Sequence, residues 1–274
     1  MPGTVMVEMY RFLFRPLWIL FHVVVAAAII LMVNLGFWQL DRLDERQTFN
    51  RQVIERSQQA PLPLADVLDE IERGGVSTDE AEWLPVTVAG SFLPDQIVEF
   101  NQSQGGRAGE NVLAALAVDD GTTVIVNRGF IPLGFEVPAA PATEVSVTGL
   151  IRMSEVRDRG GLTDSADGPV DEVRRIDIPF LAQQLPGDVA PVYVQLVSSE
   201  PSVTVGDPEP ISRPELDSGP HLSYAIQWFI FSLAVAVGWV LAVRRSLATR
   251  RRALAAEQAV SPAAADERTA VGSG

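Results

Sequence analysis

The segment PHLSYAIQWFIFSLAVAVGWVLAV, residues 220–243, decides the architecture. From Leu222 to Val243 it carries no charged residue. At about 1.5 Å of rise per residue, a helix of this length crosses a bilayer core of about 30 Å. Pro220 suits the first turn, with its fixed φ and no amide hydrogen to leave unsatisfied. His221, one of only two histidines in the chain, stands at the mouth of this helix. A second apolar run, LWILFHVVVAAAIILMVNLGFW, occupies residues 17–38. A cleavable signal peptide competes with an anchor here, because Ala26, Ala27 and Ala28 resemble small-residue processing chemistry. The apolar run continues well past them, whereas a signal core spans about 7–15 residues. An uncleaved anchor is therefore expected.

The distribution of charge orients these two helices. The net charge is −14, yet the stretch from Asp41 to Asp217 holds 31 acidic and 13 basic residues, a balance of −18. The other arginines lie near the termini, at 11, 15, 244, 245, 250, 251, 252 and 268. Arginines outside each apolar run place both termini in the cytoplasm under the positive-inside rule, with the acidic middle across the membrane. Trp38, Tyr224 and Trp228 then fall near the far interface, and Trp18 and Trp239 near the cytoplasmic one. The expected organisation is a cytoplasmic start at 1–16, a first span at 17–38 and an extracytoplasmic domain at 39–219. A second span at 220–243 and a cytoplasmic basic, Ala-rich tail at 244–274 complete it. For a bacterial chain the corresponding location is the plasma membrane.

Composition removes most catalytic chemistry. The chain has no cysteine and no lysine. Disulfides, thiolate metal sites, Schiff bases and Walker-type lysines are therefore excluded. Two histidines cannot build a three-His zinc site. An acidic middle speaks against nucleic acid as a partner. No nucleophile–base pair, phosphate loop or metal cluster is evident, and the expectation is a protein that is not an enzyme.

Residues 39–56 read as a charged helix, and 66–72 as a short helix capped by Asp66 and ended by Gly74 and Gly75. Beyond Trp83 the texture changes to short alternating runs. Strands are expected at 85–90, 96–100, 112–118, 122–127, 144–151 and 192–197, with a short helix over 177–185. Residues 155–172 read as an exposed loop and 200–219 as an irregular return to the membrane. The tail after Thr249 reads as a frayed helix followed by disorder. The fold class is thus a membrane protein: two transmembrane α-helices flanking a small, mainly antiparallel β domain, barrel-like in its spacing.

Three places carry candidate site residues. His221 shares a helical face with Tyr224 or Ala225 and with Trp228 through three- and four-residue spacing. Imidazole at an interfacial helix end ligates haem iron or simply hydrogen-bonds at the headgroup level. Gln227 lies inside the hydrocarbon, where an unpaired amide costs on the order of 1–3 kcal/mol. It should face the other helix, a partner or a ligand rather than lipid. Trp38 and Gln39 close the first span, and Gln39, Arg42 and Arg46 recur on one face suited to carboxylates or to a snorkelling collar. Arg128, in the turn expected over 127–132, either meets an anionic group or is solvated. His22 lies near the cytoplasmic end and cannot share one iron with His221, so it reads as a packing residue.

Together these stretches resemble the surfeit-locus family of cytochrome c oxidase assembly proteins. Gly36-Phe37-Trp38-Gln39-Leu40-Asp41-Arg42 is similar to that family's motif at the exit of the first helix. Asn127-Arg128-Gly129-Phe130-Ile131-Pro132 is similar to its central motif, and the run from His221 to Phe229 to the opening of its second helix. Arg46 stands where the family more often has lysine, and Phe130 where tryptophan is usual. The resemblance covers roughly residues 15 to 245. It implies a non-enzymatic assembly factor for a haem–copper oxidase, its partners being the catalytic subunit and, as a further candidate, the haem a synthesis enzyme. It also implies haem a as a transient cofactor, with His221 as the iron ligand. Tyr224, Gln227 and Trp228 would line its face, Trp38, Gln39 and Arg42 would complete the site, and Arg42 or Arg128 would meet the propionates. The alternative is a stable accessory subunit or scaffold without a cofactor.

Overall fold

The computed structural model describes residues 10–155, 170–202 and 206–271. The chain divides into two compact units, one of residues 1–48 with 217–274 and one of residues 49–216.

The first unit is a helix pair. After a 3-10 turn at Arg11–Phe14, helix α1 runs Pro16–Ser57 without a break. The expected boundary at residue 38 is therefore a change of composition and not of backbone, because Glu, Arg and Gln continue a helix as readily as Leu does. Its last turns, from Phe49, belong to the other unit. The C-terminal helix α5 runs His221–Val271, so the helix expected to continue beyond Thr249 before fraying extends to Val271. Both helices are long and apolar enough to cross a membrane. They are antiparallel: α1 meets α5 at His22 with Trp239 and again at Gln39 with His221.

The second unit is a closed five-stranded barrel with a mixed sheet. Its strands are β1 (Leu62–Pro63), β2 (Pro85–Gln104), β3 (Arg107–Ala117), β4 (Thr122–Pro132), β5 (Val145–Met153), β6 (Glu172–Val173) and β7 (Asp188–Glu200). The order β2-β3-β4-β7-β5 closes because β5 also pairs with β2. Strand β2 makes closure possible. The two short strands expected at 85–90 and 96–100 are one 20-residue strand. Pro85 to Gly90 pair with β5, and from Ser91 onward the partner is β3. Register shifts between Phe92 and Gln96 and between Glu99 and Gln102 bend it around the barrel. The core pairings are antiparallel except β4 with β7, and the short β1 and β6 add two more parallel pairs on β2.

Alternation sorts the apolar side chains into two layers. Val86, Leu116, Val124, Val126, Val147, Val192 and Val194 fill the interior. The short helix α2, Leu64–Glu72, adds Leu64 and Val67 to that core. Its N-cap is Pro63 and not the expected Asp66, which lies in the first turn. Leu113, Ile125 and Tyr193, on the opposite face of the same strands, pack against Ile176, Ile178 and Leu181. Of these, Ile178 and Leu181 bound helix α4 (Ile178–Leu181), where Asp177 supplies the N-cap. A further one-turn helix, α3 (Thr78–Ala81), starts with a Ser77–Glu80 capping box. Of the loop expected over 155–172, residues 156–169 lie outside the described residues, and Glu172 opens β6.

Candidate functional site at the helix mouth

The site is built where α1 leaves its apolar run and α5 begins. Along α5 the residues facing α1 are His221, Ala225 and Phe229, at four-residue spacing. Ala225 is 1% exposed, and a β-carbon on Gly36 would lie 2.7 Å from the Phe229 ring. Two small residues thus let the helices approach closely at this level. Phe37 adds an edge-on contact to Phe229, with ring centroids 5.5 Å apart.

This close approach seats Gln39 against His221. The Gln39 Oε1 lies 2.9 Å from His221 Nδ1. An amide oxygen only accepts, so Nδ1 carries the proton and donates it. In the neutral ring Nε2 is then the unprotonated nitrogen, the form that a metal requires. Gly219 flanks that side of the ring: at φ +63° it adopts a backbone that favours glycine, and a β-carbon there would sit 3.3 Å from Nε2. Two turns further along α1, Arg46 donates to the carbonyl of Asp217 and lies 3.7 Å from its carboxylate. Arg46 and Gln39 therefore hold the chain on both sides of the Gly219-Pro220 turn. Asp217 and Gly219 were not singled out from sequence, although Asp-Ser-Gly-Pro is a recognisable turn signature.

The remaining expected site residues distribute differently. Tyr224 is 48% exposed and Gln227 is exposed, so neither faces α1. The helical spacing left Tyr224 and Ala225 as alternatives, and packing selects Ala225, which is buried where Tyr224 is exposed. Trp228 is half-buried and meets Phe231 edge-on. On α1, Trp38 is 51% exposed, and Arg42 sits 5.9 Å from its ring while pairing with Glu45 at 2.6 Å. Arg42 thus leaves the face that carries Gln39 and Arg46. At the other end of the pair, Trp239 Nε1 donates to His22 Nδ1 at 2.8 Å, the packing role expected for this histidine.

Arg128 belongs to the barrel, and the expectation of a turn arginine reaching an anionic ligand is corrected. Strand β4 continues through it as a β-bulge: Val112 pairs with Gly129 and Leu113 with Asn127, leaving Arg128 as the extra residue. Its side chain is 3% exposed and donates to Gln96 Oε1, to the Pro138 carbonyl at 3.0 Å and to Asp207 at 3.0 Å. Gly129, at φ +137°, completes the bulge, and a β-carbon there would strike the Glu209 carbonyl at 2.4 Å. Phe130 and Glu209 exchange backbone hydrogen bonds of 2.7 and 2.8 Å. The central motif is a clasp for the segment that leads back to α5.

The family model described as "SURF1 family" matches residues 26–233, a span that contains all three motifs. The chain belongs to the SURF1 family. The resemblance read from the three motifs is thereby borne out. A SURF1-like protein of Mycobacterium tuberculosis, named as uncharacterized, is 32% identical over 259 residues, covering 92% of this chain and 91% of that protein. Surfeit locus protein 1 of Gallus gallus is 30% identical over 145 residues, 45% of each chain. A SURF1-like protein of Rickettsia felis is 21% identical over 232 residues, covering 80% of this chain and 95% of its own length. SURF1 membership extends over the helix pair and the barrel alike.

Proposed function

We propose that this SURF1-family chain is a membrane-anchored, non-enzymatic assembly factor for a haem–copper cytochrome c oxidase. Both termini are cytoplasmic and the barrel extracytoplasmic, in a bacterial plasma membrane. Family membership, the two apolar helices and the terminal arginines support this reading. In it, His221 is the residue that holds the iron of haem a on its way to the catalytic subunit.

The observation that carries the ligand assignment is the bond from His221 Nδ1 to Gln39 Oε1. It sets Nδ1 as the donor, so that in the neutral ring Nε2 is the free nitrogen, and Gly219 keeps the flank of that nitrogen clear of a side chain. The residues present therefore fit a haem iron. When bound, haem a supplies an iron centre with a position for an imidazole ligand. The protein's own contribution is to orient the ring, through Gln39, and to fix the turn that carries it, through Arg46 on Asp217. Trp38 and Tyr224 offer exposed aromatic surface at the same level of the helix pair.

The test is the absorbance spectrum of the full chain purified from cells that make haem a, wild type beside His221→Ala. A haem spectrum present in wild type and lost or shifted in the variant is expected; an unchanged spectrum overturns the ligand assignment. The second reading, a stable accessory subunit, draws on Gln227, an amide exposed on an otherwise apolar helix face. Such a group calls for a polar partner within the bilayer. Stoichiometric recovery with mature oxidase, with no haem spectrum in the free chain, would favour it.

A further inference from the structure

A cavity of about 440 Å³ lies at the opposite end of the helix pair, lined by Phe12, Trp18, Arg245, Ser246, Thr249 and Arg250. Its volume falls within the range of sites that hold small ligands. Phe12 is 5% exposed and meets Trp18 edge-on at 5.2 Å, which gives the cavity a rigid aromatic wall. The lining residues of α5 recur at four- and five-residue spacing and so form one helical face. Arg250 sits 5.4 Å from the Phe12 ring. Among the described residues no carboxylate pairs with Arg245 or Arg250. Two guanidinium groups thus line one recess without a counter-ion among the described residues. Ser246 adds a hydroxyl donor, whereas the Thr249 hydroxyl donates to the Arg245 carbonyl.

We infer that this recess binds the phosphodiester of an anionic phospholipid. Guanidinium forks match phosphate oxygens bidentately, and two cations select a net negative headgroup over a zwitterionic one. Immediately beyond the recess the helix pair exposes Leu17, Leu20 and Leu241, at 80%, 58% and 58%. Those residues offer acyl chains a surface to lie along, which favours a lipid over free phosphate as the source of the phosphodiester. The inference rests on the membrane reading above, and it adds a lipid contact remote in sequence from His221. Basic recesses at the cytoplasmic side of helix pairs are suited to such headgroups on electrostatic grounds, with each arginine near the surface worth about 1 kcal/mol, or about fivefold in affinity.

Native mass spectrometry of the full chain in detergent, titrated with phosphatidylglycerol, phosphatidylcholine or inorganic phosphate, tests this. Phosphatidylglycerol should be retained in preference to phosphatidylcholine. Arg245→Gln/Arg250→Gln should weaken its retention about twentyfive-fold, fivefold for each charge. Arg244→Gln/Arg252→Gln, which removes equal charge from outside the recess, should leave it nearly unchanged. Equal losses in the two double variants, or no preference for phosphatidylglycerol in wild type, overturn the proposal. Binding of inorganic phosphate that displaces the lipid overturns the lipid source. Failure of the membrane reading is distinguishable, because the chain would then be recovered without detergent.

Discussion

The bulge at residues 127–129 and the helix mouth at Gln39 and His221 are both polar stretches inside apolar surroundings, and both belong to motifs of the SURF1 family. They differ in what their hydrogen bonds leave over. At the bulge, Arg128 donates to Gln96, Pro138 and Asp207, and Phe130 is tied to Glu209 through both backbone groups. At the mouth, a single bond from Nδ1 to Gln39 is made and Nε2 is left uncommitted. The first arrangement spends its polarity on holding the chain together. The second spends half of it on orienting a group whose other nitrogen is available. Similar polarity in a motif therefore has two physical meanings, and the contact partners separate them.

The largest expected effect follows from breaking the closed side. Arg128→Met takes the buried guanidinium away from Asp207, whose side chain is 15% exposed, and loss of one partner of such a pair costs up to about 3–5 kcal/mol. A denaturant titration of the full chain in micelles should show that loss. Arg128→Met/Asp207→Leu should recover much of it, because the carboxylate that lost its arginine is then gone too. Under folding conditions the haem spectrum of either variant should match wild type. A spectral change in a folded Arg128 variant would sink the division between the two regions.

The barrel also holds a carboxyl whose titration burial displaces. Glu99 is 3% exposed, and burial, followed by the charge of Glu155, pushes its carboxyl up to about 7 from 4.5. Asn111 donates to it at 2.8 Å, which opposes that rise. Tyr193, Arg152 and Glu82 belong to the same electrostatic neighbourhood. The folded state then binds more protons than the unfolded one between these two values. The contribution is fully present below about pH 4.5 and is lost as pH rises through about 7. The difference is on the order of 3 kcal/mol. Denaturation midpoints measured across this window should fall with rising pH in wild type and stay level in Glu99→Gln. A rising or flat wild-type profile would remove Glu99 from the account.

Much of the architecture was legible in the sequence, and the parts that were not share a cause. The two long helices were plain because uninterrupted apolar runs have few other solutions. The barrel strands were found as pieces, since Val86 and Val88, Val124 and Val126, and Val192 and Val194 repeat with period two. Strand β2 was split into 85–90 and 96–100, whereas the closed barrel needs one long strand that shifts register between Phe92 and Gln96 and changes partner. The Asn127-Arg128-Gly129 stretch read as a turn because Asn and Gly favour turns and a bulge alike; only the opposing strand, β3, distinguishes the two. At the mouth, His221 and Gln39 were both legible as candidates. Their direct contact, and the outward turn of Tyr224 and Arg42, depend on the azimuth at which the helices meet, which Gly36 and Ala225 set.

The open side is tested first through Gln39. Gln39→Leu removes the acceptor that holds His221 in the tautomer with Nε2 free. Loss of such a partner typically lowers metal affinity about ten- to a hundredfold. Haem titration of the purified full chain should show that weakening with no change in the denaturation midpoint of the barrel. Gln39→Glu retains an acceptor and should bind more tightly than Gln39→Leu. Equal weakening in both variants would mean that shape, and not the hydrogen bond, orients the ring.

The smallest expected effect is the most discriminating. Gly219→Ala introduces two changes at once: an L-residue at φ +63°, and a β-carbon 3.3 Å from His221 Nε2. The first costs about 1–2 kcal/mol of local stability; the second crowds the nitrogen proposed to reach the iron. Asn at this position separates them, because Asn visits the left-handed region more easily than Ala while still carrying a β-carbon. If crowding governs the site, Gly219→Asn and Gly219→Ala should weaken haem binding by a similar few-fold. If backbone strain governs it, Gly219→Asn should bind nearly as wild type. The proposed ligand role requires the first outcome, since a histidine that merely caps the helix has no use for a clear Nε2.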